Sequence, residues 1–286
     1  MKPFQYYLPG TLEEVLKLLA AHKGEAKVVA GGTDLINQIK RGEICPKCLI
    51  SLNAVATMQF ISKENGLIRI GAGTNLRAIE TSLIIKSSFP ILAQAAGQIG
   101  SPQIRNRGTI GGNLVNAAPS ADMAAPLLAL NAAVTIVGLN KKLEIPIQDL
   151  FQGPGVTSLE EDSLLHEITV PIGSINTRAL YYKLGPRMGM DIATVGVAVA
   201  VTPAKTGTIE QAAIALGAVA PTPIRARKTE QMLLGQSFSE ELIEEAATTA
   251  AEEANPISDQ RASANYRKEM VKVLVRRGLR ETWQKN

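Results

Sequence analysis

A strand that runs straight into two glycines and a helix cap constrains this chain more than any other feature. Lys27-Val28-Val29-Ala30 reads as a short buried strand, and Gly31-Gly32 breaks it. Thr33-Asp34 stand where a helix begins, with Leu35, Ile36 and Ile39 apolar at helical spacing. Glycine permits positive φ and, lacking a Cβ, lets another group touch the main chain. Successive N–H groups in such a turn, backed by a helix N-terminus, make a nest suited to a phosphate or pyrophosphate. The same pattern also serves as a plain tight turn, so a second signal is needed to choose.

Around that turn, residues 1–57 read as strand, helix, strand, helix, strand. Phe4–Tyr7 is extended, Thr11 caps a helix with Glu13 and Glu14 in its first turn, and Leu49–Leu52 is the third strand. Such alternation predicts a small α/β unit. From Met58 the pattern resets. Ile68–Ile70 leads into Gly71-Ala72-Gly73-Thr74, but Leu76 stands where a Rossmann turn needs its third glycine, and no GxxxxGK[ST] loop is present. Helices are expected over Asn75–Leu83 and Pro90–Ile99.

The second signal is Ile104–Leu128, IRNRGTIGGNLVNAAPSADMAAPLL, predicted as a polar loop leading to an apolar helix from Met123 to Leu130. A stretch this rich in Gly, Asn and Ser is costly inside a core unless a ligand fills it or its own backbone satisfies it. A hairpin at 134–145 and a strand at 164–170 follow. Beyond 172 the texture changes. Strands at Ala179–Lys183, Val195–Val201 and Ile209–Leu216 precede helices at Lys228–Leu234, Ser239–Ala254 and Ser263–Trp283, the order expected of a three-stranded sheet covered by helices.

Composition narrows the function classes. The 286 residues are 45% hydrophobic and 20% charged, with a net charge of +4, a globular profile. Neither a signal pattern nor a long apolar run is present, so the expectation is a cytoplasmic protein with no membrane span. The basic C-terminal helix lacks interleaved aromatics or a nucleic-acid motif, so no nucleic-acid partner is expected. Cys45-Pro-Lys-Cys48 has no second CxxC, and His22 and His166 are the histidines, so no metal site is expected.

Two Gly-Gly turns, about 80 residues apart, resemble those of a known family. AGGTDL at 30–35 and TIGGN at 109–113, followed by NAAPSAD at 116–122, are similar to the FAD-binding subunit of molybdenum hydroxylases, the xanthine dehydrogenase and carbon monoxide dehydrogenase type. LLHEITVP at 164–171, YYKLGPRMGMDIATV at 181–195, GAVAPTPIRA at 217–226 and YRKEMVKVLVRRGL at 266–279 extend the resemblance end to end. The fold it implies is α+β. A vanillyl-alcohol-oxidase or PCMH-type FAD-binding domain of two α/β subdomains (1–172, divided at about 57/58) precedes a C-terminal α+β domain (173–286) with a three-stranded antiparallel sheet and helices.

The same resemblance implies non-covalent FAD here, because neither histidine lies in a flavin loop. It also implies that the molybdenum cofactor and two [2Fe–2S] clusters are held only by partners, a large and a small subunit, in a heterotrimer or its dimer. Electrons would pass from the clusters through FAD to NAD or another acceptor. The cofactor-binding residues it implies are Lys27, Val28, Val29, Ala30, Gly31, Gly32, Thr33 and Asp34 at the pyrophosphate, and Thr109, Ile110, Gly111, Gly112 and Asn113 in the second loop. Asp122 falls near the adenosine, Ile99 against the adenine, and Leu165 and Lys183 near the flavin. No catalytic residue is implied in this chain. The Leu184–Asp191 loop corresponds to a segment beside the flavin that controls acceptor access. A self-sufficient flavin oxidase or dehydrogenase of this fold stays open as an alternative, as does an assembly or phosphate-binding module that has lost the flavin.

Overall fold

The computed structural model describes residues 2–174, 176–187 and 189–284. Strand β1 (Gln5–Tyr7), helix α1 (Leu12–Ala21), β2 (Ala26–Val29), α2 (Leu35–Arg41) and β3 (Cys48–Ser51) form the first unit, a parallel sheet in the order β1-β3-β2. The Thr11 hydroxyl accepts from the Glu14 N–H, and the Glu14 carboxylate accepts from the Gly10 N–H, which fixes where α1 starts. Gly42 at φ 74° ends α2.

The second unit is antiparallel throughout. Its strands are β4 (Ile61–Glu64), β5 (Leu67–Gly71), β6 (Ala133–Gly138), β7 (Lys141–Pro146) and β10 (Leu164–Pro171), in the order β4-β5-β10-β6-β7. A small ribbon, β8 (Phe151–Gly153) with β9 (Val156–Thr157), precedes β10. The helices come as one block between β5 and β6: α3 (Leu76–Thr81), α4 (Leu83–Ser88), α5 (Pro90–Gly97), α6 (Pro102–Arg107), α7 (Ile110–Val115) and α8 (Ala124–Ala129). The helix expected over Asn75–Leu83 stops at Ser82, whose hydroxyl accepts from Ile85 N–H and starts a new helix in another direction.

The third unit holds β11 (Arg178–Leu184), β12 (Val195–Pro203), β13 (Ile209–Gly217) and β14 (Ile224–Arg225) in one antiparallel sheet. The three expected strands are its body, and the two-residue β14 adds an edge. Helices α9 (Arg227–Leu233), α10 (Glu240–Glu253) and α11 (Ala264–Gln284) follow. Period-two alternation gives β12 two different faces. Val195, Val197, Val199 and Val201 pack with Ile243, Ala247, Val271 and Val275 of α10 and α11. Ala198 and Ala200 face the other way and belong to the core shared with α5 and α8 of the second unit. No helix among the described residues is long and apolar enough to cross a membrane.

Candidate functional site

Lys27, Val28 and Val29 lie on β2, and Ala30–Asp34 form the loop from its C-terminal end to α2. Gly32 sits at φ 72°, the left-handed region. Gly31 has a different reason to be glycine. An added Cβ would lie 2.1 Å from the Arg107 carbonyl oxygen and 2.8 Å from Gly108 Cα. The two glycine-bearing segments are therefore in direct contact, with the first loop seated on the α6–α7 junction.

The N–H groups of Gly31, Gly32, Thr33 and Asp34 have no acceptor among the described residues. The Thr33 hydroxyl donates to Asp34 Oδ2 at 3.1 Å, and the Thr33 carbonyl accepts from Asn37 Nδ2 at 2.8 Å. The loop thus spends its carbonyl and side chains on itself and leaves a run of four donors outward. Such a run is an anion nest. Arg107, whose carbonyl abuts Gly31, is exposed, with no carboxylate partner among the described residues.

The second segment is not the loop its glycines predict. Thr109–Asn113 start α7: the Thr109 hydroxyl accepts from Gly112 N–H at 3.0 Å, and the Thr109 carbonyl accepts from Asn113 N–H. Ile110 and Gly111 N–H donate to the Thr74 and Ala72 carbonyls at 3.0 and 2.9 Å. Gly111 is glycine because a Cβ would meet Ala72 Cβ and oxygen at 2.7 Å. The N–H groups of Ile110, Gly111, Gly112 and Asn113 are thus already used within the protein, and what this segment can offer a ligand is the open surface at Gly112 and its side chains. Asn113 Oδ1 is buried without a hydrogen-bond partner among the described residues, a cost of about 1–3 kcal/mol unless something else supplies a donor.

Asp122 and Lys183 come together although 61 positions separate them. Lys183 Nζ donates to Asp122 Oδ2 at 2.8 Å and to the Gln98 carbonyl at 3.0 Å. Tyr181 Oη donates to Asp122 Oδ1 at 2.9 Å. Both side chains of the pair are under a tenth exposed. Burial pushes the Asp122 carboxyl up, against the Lys183 ammonium and the Tyr181 hydroxyl, which pull it down. Burial, with Asp122 beside it, holds the Tyr181 hydroxyl well above its usual range, so it stays a donor. The residues expected near the adenosine and near the flavin therefore meet as one buried pair, and Lys183 is not a surface lysine.

Ile99 follows α5, buried, directly after Gln98. Leu165, on β10, is 2% exposed within the core, so its side chain is not available at a surface. Cys48 opens β3, with its thiol pushed up by burial, and Cys45 is exposed. No group of three or more His, Cys, Asp or Glu that could hold a metal occurs among the described residues. Tyr181 and Arg107 escaped the sequence reading. The available signal for Tyr181 was alternation, which puts it on the same face of β11 as Lys183.

Comparison with known proteins gives this arrangement a family. Residues 2–173 match the family model described as the FAD binding domain in molybdopterin dehydrogenase, and residues 180–282 match the CO dehydrogenase flavoprotein C-terminal domain. The chain is similar to the carbon monoxide dehydrogenase medium chain of Hydrogenophaga pseudoflava, 35% identical, covering 98% of this chain and 97% of that one. It is also similar to the xanthine dehydrogenase FAD-binding subunit of Escherichia coli O157:H7, 31% identical over 96% of this chain and 94% of that one. The solved carbon monoxide dehydrogenase from H. pseudoflava that lacks the Mo-pyranopterin moiety superposes with a TM-score of 0.95, at 36% identity and 99% of both chains. The chain belongs to the FAD subunits of molybdenum hydroxylases of the carbon monoxide and xanthine dehydrogenase type, a class of oxidoreductase subunits.

Proposed function

We propose that this chain binds FAD non-covalently, with the pyrophosphate on the Gly31–Asp34 nest, and relays electrons in a three-subunit enzyme. The observation that carries the reading is the run of four backbone donors in the β2–α2 loop without an acceptor among the described residues. FAD joins two planar ring systems through a pyrophosphate, so it needs one anion cradle flanked by surfaces that allow close approach. The residues present fit that group. Gly32 and Gly112 leave their outer sides free of a Cβ, and Asn113 Oδ1 waits for a donor. The exposed Arg107 adds positive charge beside the nest.

Within this reading, residues 27–34 hold the pyrophosphate and Thr109–Asn113 brace the cofactor from the α7 side. Ile99 offers apolar contact to a ring, and Leu165 contributes main chain only. The Lys183–Asp122 pair flanks the isoalloxazine, where the ammonium favours the negative charge that reduction brings. The flavin itself supplies the redox chemistry. Partners supply the rest: a large subunit with the molybdenum cofactor and a small one with two [2Fe–2S] clusters, the electrons leaving to NAD or another acceptor. The domain division at 172/173, with subdomains meeting near 57/58, belongs to the same proposal, as does a cytoplasmic location.

The test is an absorbance spectrum after FAD addition and desalting, on the chain alone and on the co-expressed complex, beside Gly112→Trp. A Cβ at Gly112 meets only Thr109 Oγ1, at 3.0 Å, so the variant blocks the outer surface rather than the core. Flavin retained in the parent and lost in a folded variant supports the reading. Flavin absent from the parent complex would refute it.

A further inference from the structure

Tyr181 is a costly way to fill a core position that phenylalanine would fill equally well. Its ring is 2% exposed, and its hydroxyl is spent wholly on one oxygen of a buried carboxylate. Room for that hydroxyl is reserved on the neighbouring strand: a Cβ on Gly196 would lie 2.9 Å from Tyr181 Oη. Two residues along the same face, Lys183 grips the other oxygen of the same carboxylate. An ammonium has three donors. Two of those on Lys183 go to Asp122 Oδ2 and the Gln98 carbonyl, and the third has no acceptor among the described residues. Strand β11 thus presents a spare cationic donor, and the net charge of the Lys183–Asp122 pair depends on whether Asp122 is ionised.

We infer that Tyr181 is a positioning residue that acts through Asp122 to set how much of the Lys183 charge the cofactor feels, and so tunes the reduction potential of the flavin. The inference rests on the reading that FAD lies against Lys183. Three groups act on the carboxylate: Lys183 and Tyr181 from β11, and Asp191 from the loop after it, the last opposing ionisation. Removing the Tyr181 hydroxyl leaves burial and Asp191 opposed by Lys183 alone. Asp122 then takes up a proton more readily, and a protonated Asp122 no longer offsets the ammonium. An uncovered cation beside the isoalloxazine stabilises the negative charge gained on reduction and raises the potential.

The experiment is a spectroelectrochemical titration of FAD in the assembled enzyme, between pH 6 and 8, for four variants. Tyr181→Phe is expected to raise the midpoint potential, more at pH 6 than at pH 8. Asp122→Asn is expected to raise it at every pH, and adding Tyr181→Phe to Asp122→Asn is expected to change nothing further. Lys183→Met is expected to lower it. Should Tyr181→Phe fail to assemble, Gly196→Ala, which crowds the hydroxyl without removing it, is expected to shift the potential upward. An unmoved potential in Lys183→Met overturns the underlying reading of the site. A shift there, with Tyr181→Phe or its substitute Gly196→Ala unmoved, overturns the role of Tyr181 alone. Additive shifts in the double variant overturn the route through Asp122.

Discussion

Gly31→Ala isolates close approach from backbone strain, because Gly31 is not among the glycines at positive φ while its missing Cβ has nowhere to go. The ideal Cβ would stand 2.1 Å from Arg107 oxygen, 2.6 Å from Arg107 carbon and 2.8 Å from Gly108 Cα. Carbon contacts settle at roughly 3.5 Å or more, so the β2–α2 loop and the α6–α7 junction must part by roughly an ångström. Overpacking costs about 1–3 kcal/mol where side chains can yield. Here all three obstructing atoms are main chain, which puts the cost at about 3 kcal/mol, or a fall of about 6–12 °C in melting temperature at ~2–4 °C per kcal/mol. Gly32→Ala is the control. It forces alanine into the left-handed region, a cost of ~1–2 kcal/mol, but meets only side-chain atoms, Ile36 Cγ1 at 3.1 Å and Val29 Cγ2 at 3.4 Å. Chemical denaturation and flavin fluorescence on both variants are the assays, with Gly31→Ala expected to be the less stable. Parting the loops also opens the cofactor cradle, so FAD binding is expected to weaken at least about tenfold, equivalent to ~1.4 kcal/mol. A Gly31→Ala protein within about 0.5 kcal/mol of the parent, which is the range of ordinary surface changes, refutes the argument that the two segments are locked together.

Asn113→Ala is expected to change sign with the cofactor: without FAD it removes an unpaired buried acceptor and raises stability by up to about 1 kcal/mol, while with FAD it weakens retention, both read from melting curves. Arg267 is 3% exposed and donates to the Thr194 and Ala218 carbonyls and to Asp259. Arg267→Met is expected to lower stability by about 2 kcal/mol or more and to speed hydrogen exchange at the start of α11. His166 is half buried, and desolvation lowers its pKa below the ordinary 6.5. The unfolded chain therefore protonates first, so this contribution is fully present above pH 6.5 and is lost as pH falls through the lower folded value. Urea midpoints from pH 8 to pH 5 check it, the fall being shallower in His166→Gln.

Local signals carried well where local physics decides. The Thr11 cap, the alternating β/α order of the first unit and the Val/Ala alternation of β12 are each visible in a few adjacent residues. The Asn65-Gly66 turn is a missed opportunity of the same kind. Asn65 at φ 51° and Gly66 at φ 76° close the β4–β5 hairpin, and Asn-Gly between strands is a strong hairpin signal. Thr109–Asn113 misled for a different reason. Glycine pairs weaken helix propensity, and what holds α7 is tertiary, the Ala72 and Thr74 carbonyls receiving its first donors. The Tyr181–Asp122–Lys183 contact is illegible in any window of sequence, since only the packing of β11 on α5 and the loop before α8 brings it about.

The two-faced β12 has a consequence for anyone dissecting the protein. Its valines close one core and its alanines close another, so the strand is a party wall between neighbours rather than the outside of either. A fragment ending near residue 173 would bare the α8 surface that β12 covers and the α5 surface that β11 covers, and the complementary fragment would bare Ala198 and Ala200. Exposed apolar patches of that kind drive association. Separately expressed halves are therefore expected to aggregate, or to recover each other when mixed. Deleting one residue within Val195–Val201 would present the wrong face to each neighbour at once.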